Sequence, residues 1–203
     1  MPKGSPELTA SRREEIISAC EKLYKTHSFK EITLKDISAE TSLSRPSVYN
    51  YFHTKEEIFL ALLEREYNDW SDELFRISQN ESVSAEQFAD LTARSLAERE
   101  QLLKLLSMNH YDMEENSRPE CLASFKVAYG KTLDMMYACL DRFFHEINKE
   151  RFIYVFFPFM FGIYPYTSVS EKQLTAMKEA EVDLKIKSVY ELVYSCIMQL
   201  LGR

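Results

Sequence analysis

Breakers are scarce in this chain, with four Gly and six Pro in 203 residues. That excludes collagen-like and low-complexity architectures and leaves room for long helices. Strand-type alternation of apolar and polar residues is nearly absent, while apolar residues recur at three- and four-residue spacings, which predicts an all-α chain of about nine helices. No uncharged apolar run of 18 or more residues occurs, so a membrane-spanning helix is not expected. The opening MPKGSPELTASRREE holds no apolar stretch of signal-peptide type, and a cytoplasmic location is expected. Cys20, Cys121, Cys139 and Cys196 lie far apart with no C-x-x-C and read as small core residues rather than disulfide partners. None of the four histidines has a partner at zinc-ligand spacing, so no metal is expected. Nucleophile elbows and Gly-rich phosphate loops are missing as well, which gives no sequence basis for an enzyme or a cofactor.

Charge is unevenly placed. The net charge of -7 argues against a nucleic-acid partner until it is divided along the chain: residues 1–60 carry nine basic and nine acidic side chains, and 61–203 carry sixteen and twenty-three. A neutral head on an acidic body keeps the body away from a polyanion. The expected division is a neutral head over 1–55 and a larger helical body over 56–203.

Capping signals order the head. Ser11 with Glu14 fits a capping box for a first helix with Ile16, Ile17, Cys20, Leu23 and Tyr24 inward. Thr33 with Asp36 opens a short second helix ending near Thr41, and Ser44 caps a third over RPSVYNYF. Thr54 with Glu57 starts a fourth that continues past Trp70. In the body, helices are predicted from Ser84 to Ala97 and from Glu98 to Tyr111, with a polar break DMEENSRPE after them. Ser117 with Pro119 then opens a long helix running to about Ile147. RFIYVFFPFMFGIYPY reads as a buried, kinked helix, Ser170 with Gln173 as the cap of a small one, and 183–201 as a last amphipathic helix.

Two short helices joined by a three-residue turn and braced by a longer one form a helix-turn-helix, whose second helix enters the major groove. At about 100° per residue, Val48 and Phe52 share the core face. Pro46, Ser47 and Asn50 then centre on the opposite face, with Tyr49 and Tyr51 flanking and Arg45 at the N-terminal end. Arg45 suits a guanine edge, Pro46 a thymine methyl, and Asn50 an adenine or a phosphate. Hydroxyls of Ser47, Tyr49 and Tyr51 reach phosphates, and Thr33 and Lys55 lie at helix N-termini where an anion is favoured. An S-R-P-S opening alone also fits an ordinary helix start.

From Ile16 to Phe59 the segments IISACEKLY, TLKDISAETSLS, RPSVYNYF and HTKEEIF resemble the head of the tetracycline-repressor (TetR) family of bacterial transcriptional regulators. The resemblance implies groove or backbone contacts from Arg45, Pro46, Ser47, Tyr49 and Tyr51, and a phosphate clamp at Lys55. It also marks departures: Ser42 and Pro46 stand where the family commonly has Gly, and His27 and Ser28 stand where a Gly often ends the first helix. Unusual backbone angles are expected at Ser42 or Ser28.

For the body, the resemblance implies an effector site in the C-terminal helices and dimerisation through the last two long ones. The apolar stripe of the final helix and the FIYVFFPFMF helix suit a four-helix bundle with a second copy, with Phe157, Phe161, Val189, Val193, Ile197 and Leu200 as the expected interface. Pocket candidates are Phe88, Met108, His110, Tyr111, Phe125, Tyr129, Met136 and Phe159, with His110 and Tyr111 as the polar groups. The expected function is that of a homodimeric regulator bound to a double-stranded DNA operator, a repressor released by a small, largely apolar effector, with no membrane partner. The alternative is a chromosome-organising DNA-binding factor with no effector.

Overall fold

The computed structural model describes residues 5–202, the side chains of Met108 and Asn109 excepted. Ten helices occur among them: α1 (Pro6–Tyr24), α2 (Leu34–Ala39), α3 (Arg45–Val48), α4 (Lys55–Ser78), α5 (Ala85–Ala97), α6 (Glu100–Glu115), α7 (Pro119–Phe143), α8 (Lys149–Thr167), α9 (Glu171–Glu179) and α10 (Val189–Leu200). The fold is all-α, with no strand among the described residues. No single helix among them is long and apolar enough to cross a membrane.

The chain forms two compact units, one of residues 1–67 with 109–129 and one of 68–108 with 130–203. The expected boundary at residue 55 falls inside the first unit, because the first turns of α4 belong to its core. Ile58, Phe59, Leu62 and Leu63 are buried there with Ile16, Ile17, Cys20 and Tyr24 of α1. Phe59 meets Tyr24 at 5.1 Å and Phe29 at 4.7 Å, both edge to face. On the rim, Arg65 bonds Glu21 at 2.6 Å, Ser18 at 3.0 Å and Glu14, which fastens α4 to α1.

The second unit is built on Trp70 and Leu74 of α4, Phe88, Ala89, Ala93 and Leu96 of α5, Met136 and Leu140 of α7, and Phe152, Phe156 and Met160 of α8, all buried. α10 packs on α5 and α8. Tyr190 of α10 donates its hydroxyl to Asp90 of α5 at 2.7 Å, and the Nε–H of Arg94 lies 3.0 Å from both oxygens of that carboxylate.

Several helix ends differ from the sequence reading. α1 starts at Pro6, capped by Ser5, which accepts the Leu8 N–H at 3.3 Å. A proline at the first helical position loses no hydrogen bond, so this start prevails over the one at Ser11. α6 runs on to Glu115 because Met113, fully buried, anchors its last turn. The break is therefore only 116–118. Ser117 does not cap α7: its hydroxyl is buried without a hydrogen bond, and the Arg118 carbonyl accepts from Cys121 and Leu122. α10 begins at Val189 behind a Ser188–Glu191 capping box, so Val182 and Ile186 are not on it and stand 52% and 43% exposed.

α8 is not buried all round. Phe152, Ile153, Phe156, Phe157, Met160 and Ile163 face the core, while Tyr154, Val155 and Tyr166 are exposed. Pro158 and Pro165, both inside the helix, lie on the exposed side, where carbonyls left without an N–H donor are open to water.

Candidate nucleic-acid interface

The two short helices of the motif are fixed by local hydrogen bonds and a long-range one. At α2 the Thr33 hydroxyl accepts the Asp36 N–H at 3.3 Å, and Asp36 accepts the Thr33 N–H at 2.9 Å and its hydroxyl at 2.6 Å. These bonds hold the Asp36 carboxyl below the usual carboxylate range. The turn between α2 and α3 is fastened to α1 by Glu15, whose carboxylate accepts the Ser42 N–H at 2.5 Å and the Ser42 hydroxyl at 3.1 Å. That contact was invisible in the sequence, because nothing local marks a partner 27 residues away. Neither Ser42 nor Ser28 adopts a positive φ; among the described non-glycine residues only Glu181 does, at 55°. The expected strain is absent, since a turn held from outside by Glu15 has no need of a left-handed residue.

α3 is a single turn, Arg45–Val48, and 49–51 continue as turns. Ser44 makes no side-chain cap; its hydroxyl lies 2.8 Å from that of Ser47. Val48 and Phe52 are buried, as their shared helical face required. Arg45, Pro46, Tyr49 and Asn50 are exposed on the other side, with Ser47 and Tyr51 half-buried and Thr33 exposed at the start of α2. Arg45 is parked on Tyr49: Nη2 donates to the phenol oxygen at 3.3 Å and the guanidinium lies 5.9 Å from the ring centroid. Lys55 Nζ donates to the carbonyls of Phe29 at 2.6 Å and Ile32 at 3.1 Å and lies 4.3 Å from the Phe29 ring. Two of its three donors thus hold the α1–α2 connection.

The residues expected to line a pocket divide between the units. In the first, His110, Phe125 and Tyr129 assemble with Tyr67, whose helical spacing alone marks it only as core. Tyr67 lies 5.8 Å from Phe125 and 5.5 Å from Tyr129, and His110 lies 6.1 Å from Phe125. His110 Nε2 is 3.2 Å from Glu114, which also pairs with Lys126. Tyr111 is 76% exposed and takes no part. In the second unit Phe88 packs on Phe144 at 5.3 Å, and Met136 is core. Phe159 lines a groove of about 480 Å³ with Pro158, Gly162, Ile163, Tyr166, Leu184, Lys185, Lys187 and Leu192. The side chain of Met108 lies outside the described residues. Of the expected interface residues, Phe157, Val193 and Ile197 are buried inside the chain, and Phe161, Val189 and Leu200 are half-buried.

Burial lowers the pKa of His110 below its ordinary 6.5, with the Glu114 carboxylate opposing and the Lys126 ammonium adding to the effect. A base whose folded pKa is depressed favours folding fully above the unfolded value and loses that contribution as pH falls through the folded one. The urea midpoint should therefore fall on acidification below about pH 6.5, and fall less in His110→Gln. Parallel losses in both proteins would show that His110 is not the source.

Residues 16–62 match the family described as bacterial regulatory proteins, tetR family, and residues 64–186 match the tetracyclin repressor-like C-terminal domain. An HTH-type transcriptional regulator of Bacillus subtilis named YfiR, itself described as uncharacterized, is 32% identical over 84 residues; the match spans 41% of this chain and 41% of that relative. The fold is shared with the fatty acid degradation regulator FadR of Bacillus halodurans, at a TM-score of 0.61 and 16% identity over 98% of this chain and 96% of the other. It is shared also with FadR of Bacillus subtilis in complex with stearoyl-CoA, at a TM-score of 0.61 and 13% identity over 93% and 97%. With both its head and most of its body matched, the chain belongs to the tetracycline-repressor family of transcriptional regulators.

Proposed function

We propose that this protein is a homodimeric, sequence-specific DNA-binding repressor released from its operator by a small, largely apolar effector. The observation that carries this reading is the two-sided head. Val48 and Phe52 fix one face in the core, and the opposite face presents Arg45, Pro46, Tyr49 and Asn50 to solvent, a set suited to base edges and phosphates. A four-residue helix offers too few contacts to bind tightly alone, and two heads on half-sites about one turn apart, roughly 34 Å, supply the rest.

The unburied face of α8 supports the dimer. Tyr154, Pro158, Gly162 and Tyr166 recur every four residues along it and are exposed, and an apolar stripe left open on an otherwise packed helix is a surface for association. For the effector, the aromatic group of Tyr67, Phe125 and Tyr129 with His110 at its edge offers apolar surface and a few polar tips. A long-chain acyl thioester is the class to try first, because the B. subtilis FadR neighbour was solved with stearoyl-CoA.

In vitro selection from random duplex DNA, followed by anisotropy titration at two salt concentrations and sedimentation of the free protein, tests the reading. A near-palindrome bound by a dimer with a steep salt slope, and displaced by stearoyl-CoA, is the expected result. Enrichment of nothing, or a monomer on a single half-site, overturns it; displacement by no acyl thioester overturns the effector class alone. On the selected operator, Arg45→Ala should cost about 1–3 kcal/mol and relax the preference at one base pair. An unchanged preference would remove Arg45 from base readout.

A further inference from the structure

We propose that Arg118, in the corner between α6 and α7, is a positioning residue for DNA recognition, acting through the buried carboxylate of Glu57 on the turn that follows the recognition helix. This rests on the DNA-binding reading above and adds to it a residue outside the helix-turn-helix.

Glu57 is the third residue of α4, where a capping box would turn its carboxylate back to Thr54. Only half of that box forms: the Glu57 N–H donates to the Thr54 hydroxyl at 3.2 Å. The carboxylate, its side chain fully buried, is used otherwise. One oxygen accepts the His53 N–H at 2.7 Å and Arg118 Nη2 at 3.0 Å. The other accepts Arg118 Nε at 2.6 Å and the Arg118 backbone N–H at 3.3 Å. All four donors come from two places, the residue that leaves the recognition turn and the α6–α7 corner. The same guanidinium donates from Nη2 to the Tyr51 carbonyl at 3.4 Å and from Nη1 to Glu120 at 3.2 Å. A second tie runs alongside, from the Thr54 hydroxyl to the Asn116 carbonyl at 3.1 Å.

The head needs such an external hold. One turn of helix has almost no stability of its own, and Asn50 and Tyr51 lie beyond the end of α3 in turns. Val48 and Phe52 fix which face is inward, but the path of 49–51 between them has its last carbonyl, that of Tyr51, held by Arg118, and the N–H of His53, just beyond Phe52, held by Glu57. The pairing is bidentate and planar, a geometry that Lys does not reproduce. The corner supplying the guanidinium lies between two helices that also contribute to the second unit. A displacement of that corner therefore reaches the DNA-reading turn chiefly through the Arg118 guanidinium, with the Thr54–Asn116 bond beside it.

The test is a double-mutant cycle on operator affinity, with Arg118→Lys, Glu57→Gln and the pair, measured by anisotropy at a temperature where circular dichroism shows each protein folded. Either single change should weaken operator binding roughly 3- to 30-fold, the pair should lose no more than the worse single change, and the altered base preference should fall at the position read by Asn50. A merely structural role would lower the melting temperature and leave the affinity and base preference of the folded protein unchanged, which would overturn the proposal. Additive losses would overturn the route through Glu57. Should one variant fail to fold, the other single change gives the same two readouts. Wild-type protein that selects no operator would be a failure of the DNA-binding reading instead.

Discussion

Phe59→Ala should destabilise the first unit by about 3–5 kcal/mol and abolish operator binding at temperatures where the wild-type head is folded. Phe59 is fully buried, and its ring is the point where three parts of the head meet. Tyr24 closes α1 against one edge and Phe29, in the α1–α2 connection, against another. Phe29 in turn carries Lys55, whose ammonium holds the carbonyls of Phe29 and Ile32. Truncation leaves a cavity between rigid rings that cannot collapse onto a methyl group, so the cost belongs at the upper end of large-to-small changes. The connection that delivers Thr33 to the start of α2 then loses its seat, and the motif loses its spacing. Tyr111→Ala, at a side chain 76% exposed, should stay within about 0.5 kcal/mol. Thermal melts of the two variants beside the wild type decide it; an unshifted melt for Phe59→Ala would mean the aromatic group does not hold the head together.

What could be read in the sequence was what is encoded over three or four residues. The capping boxes at Thr33 with Asp36, Ser84 with Gln87 and Ser170 with Gln173 all form, because both partners are local. The inward face of Val48 and Phe52 follows from helical periodicity and survives even though α3 is half its expected length. What local pattern does not carry has one cause, partners brought close only by folding. Glu57 has the spacing of a capping residue, yet its stronger partner is Arg118, 61 residues on. Lys55 stands at a helix start, and folding brings to it two backbone carbonyls that no local spacing marks. Just before the last helix, Val182 and Ile186 are four apart and mimic a helical stripe, but the true start is set by Ser188 with Glu191. Lines of apolar residues say that something is covered; whether the cover is the same chain or another is not written in them. Phe157, Val193 and Ile197 are taken by the chain's own core, whereas Tyr154 and Tyr166 stay open.

The second unit should respond to Trp70 as the first does to Phe59. Trp70→Ala is expected to cost about 3–5 kcal/mol, because the indole is fully buried, lies 5.8 Å from the Phe157 ring and is tied to α5 by a polar link. Its Nε1–H donates to the Ser95 hydroxyl at 3.2 Å, which donates onward to the Thr92 carbonyl at 3.0 Å. The link gives the prediction an internal scale. Ser95→Ala keeps the ring and removes the acceptor, leaving a buried N–H without a partner, at a cost of about 1–3 kcal/mol. Trp70→Phe keeps most of the apolar volume and removes the donor, and should fall between that and the full truncation. Because the chain has one tryptophan, its fluorescence reports on this place alone: the Ser95→Ala protein should keep the buried-indole emission while melting earlier. If Ser95→Ala melts with the wild type, the indole N–H is satisfied by something other than Ser95. If Trp70→Ala costs no more than Ser95→Ala, packing around the ring contributes little, and the second unit is held chiefly by the α5–α8–α10 contacts that surround it.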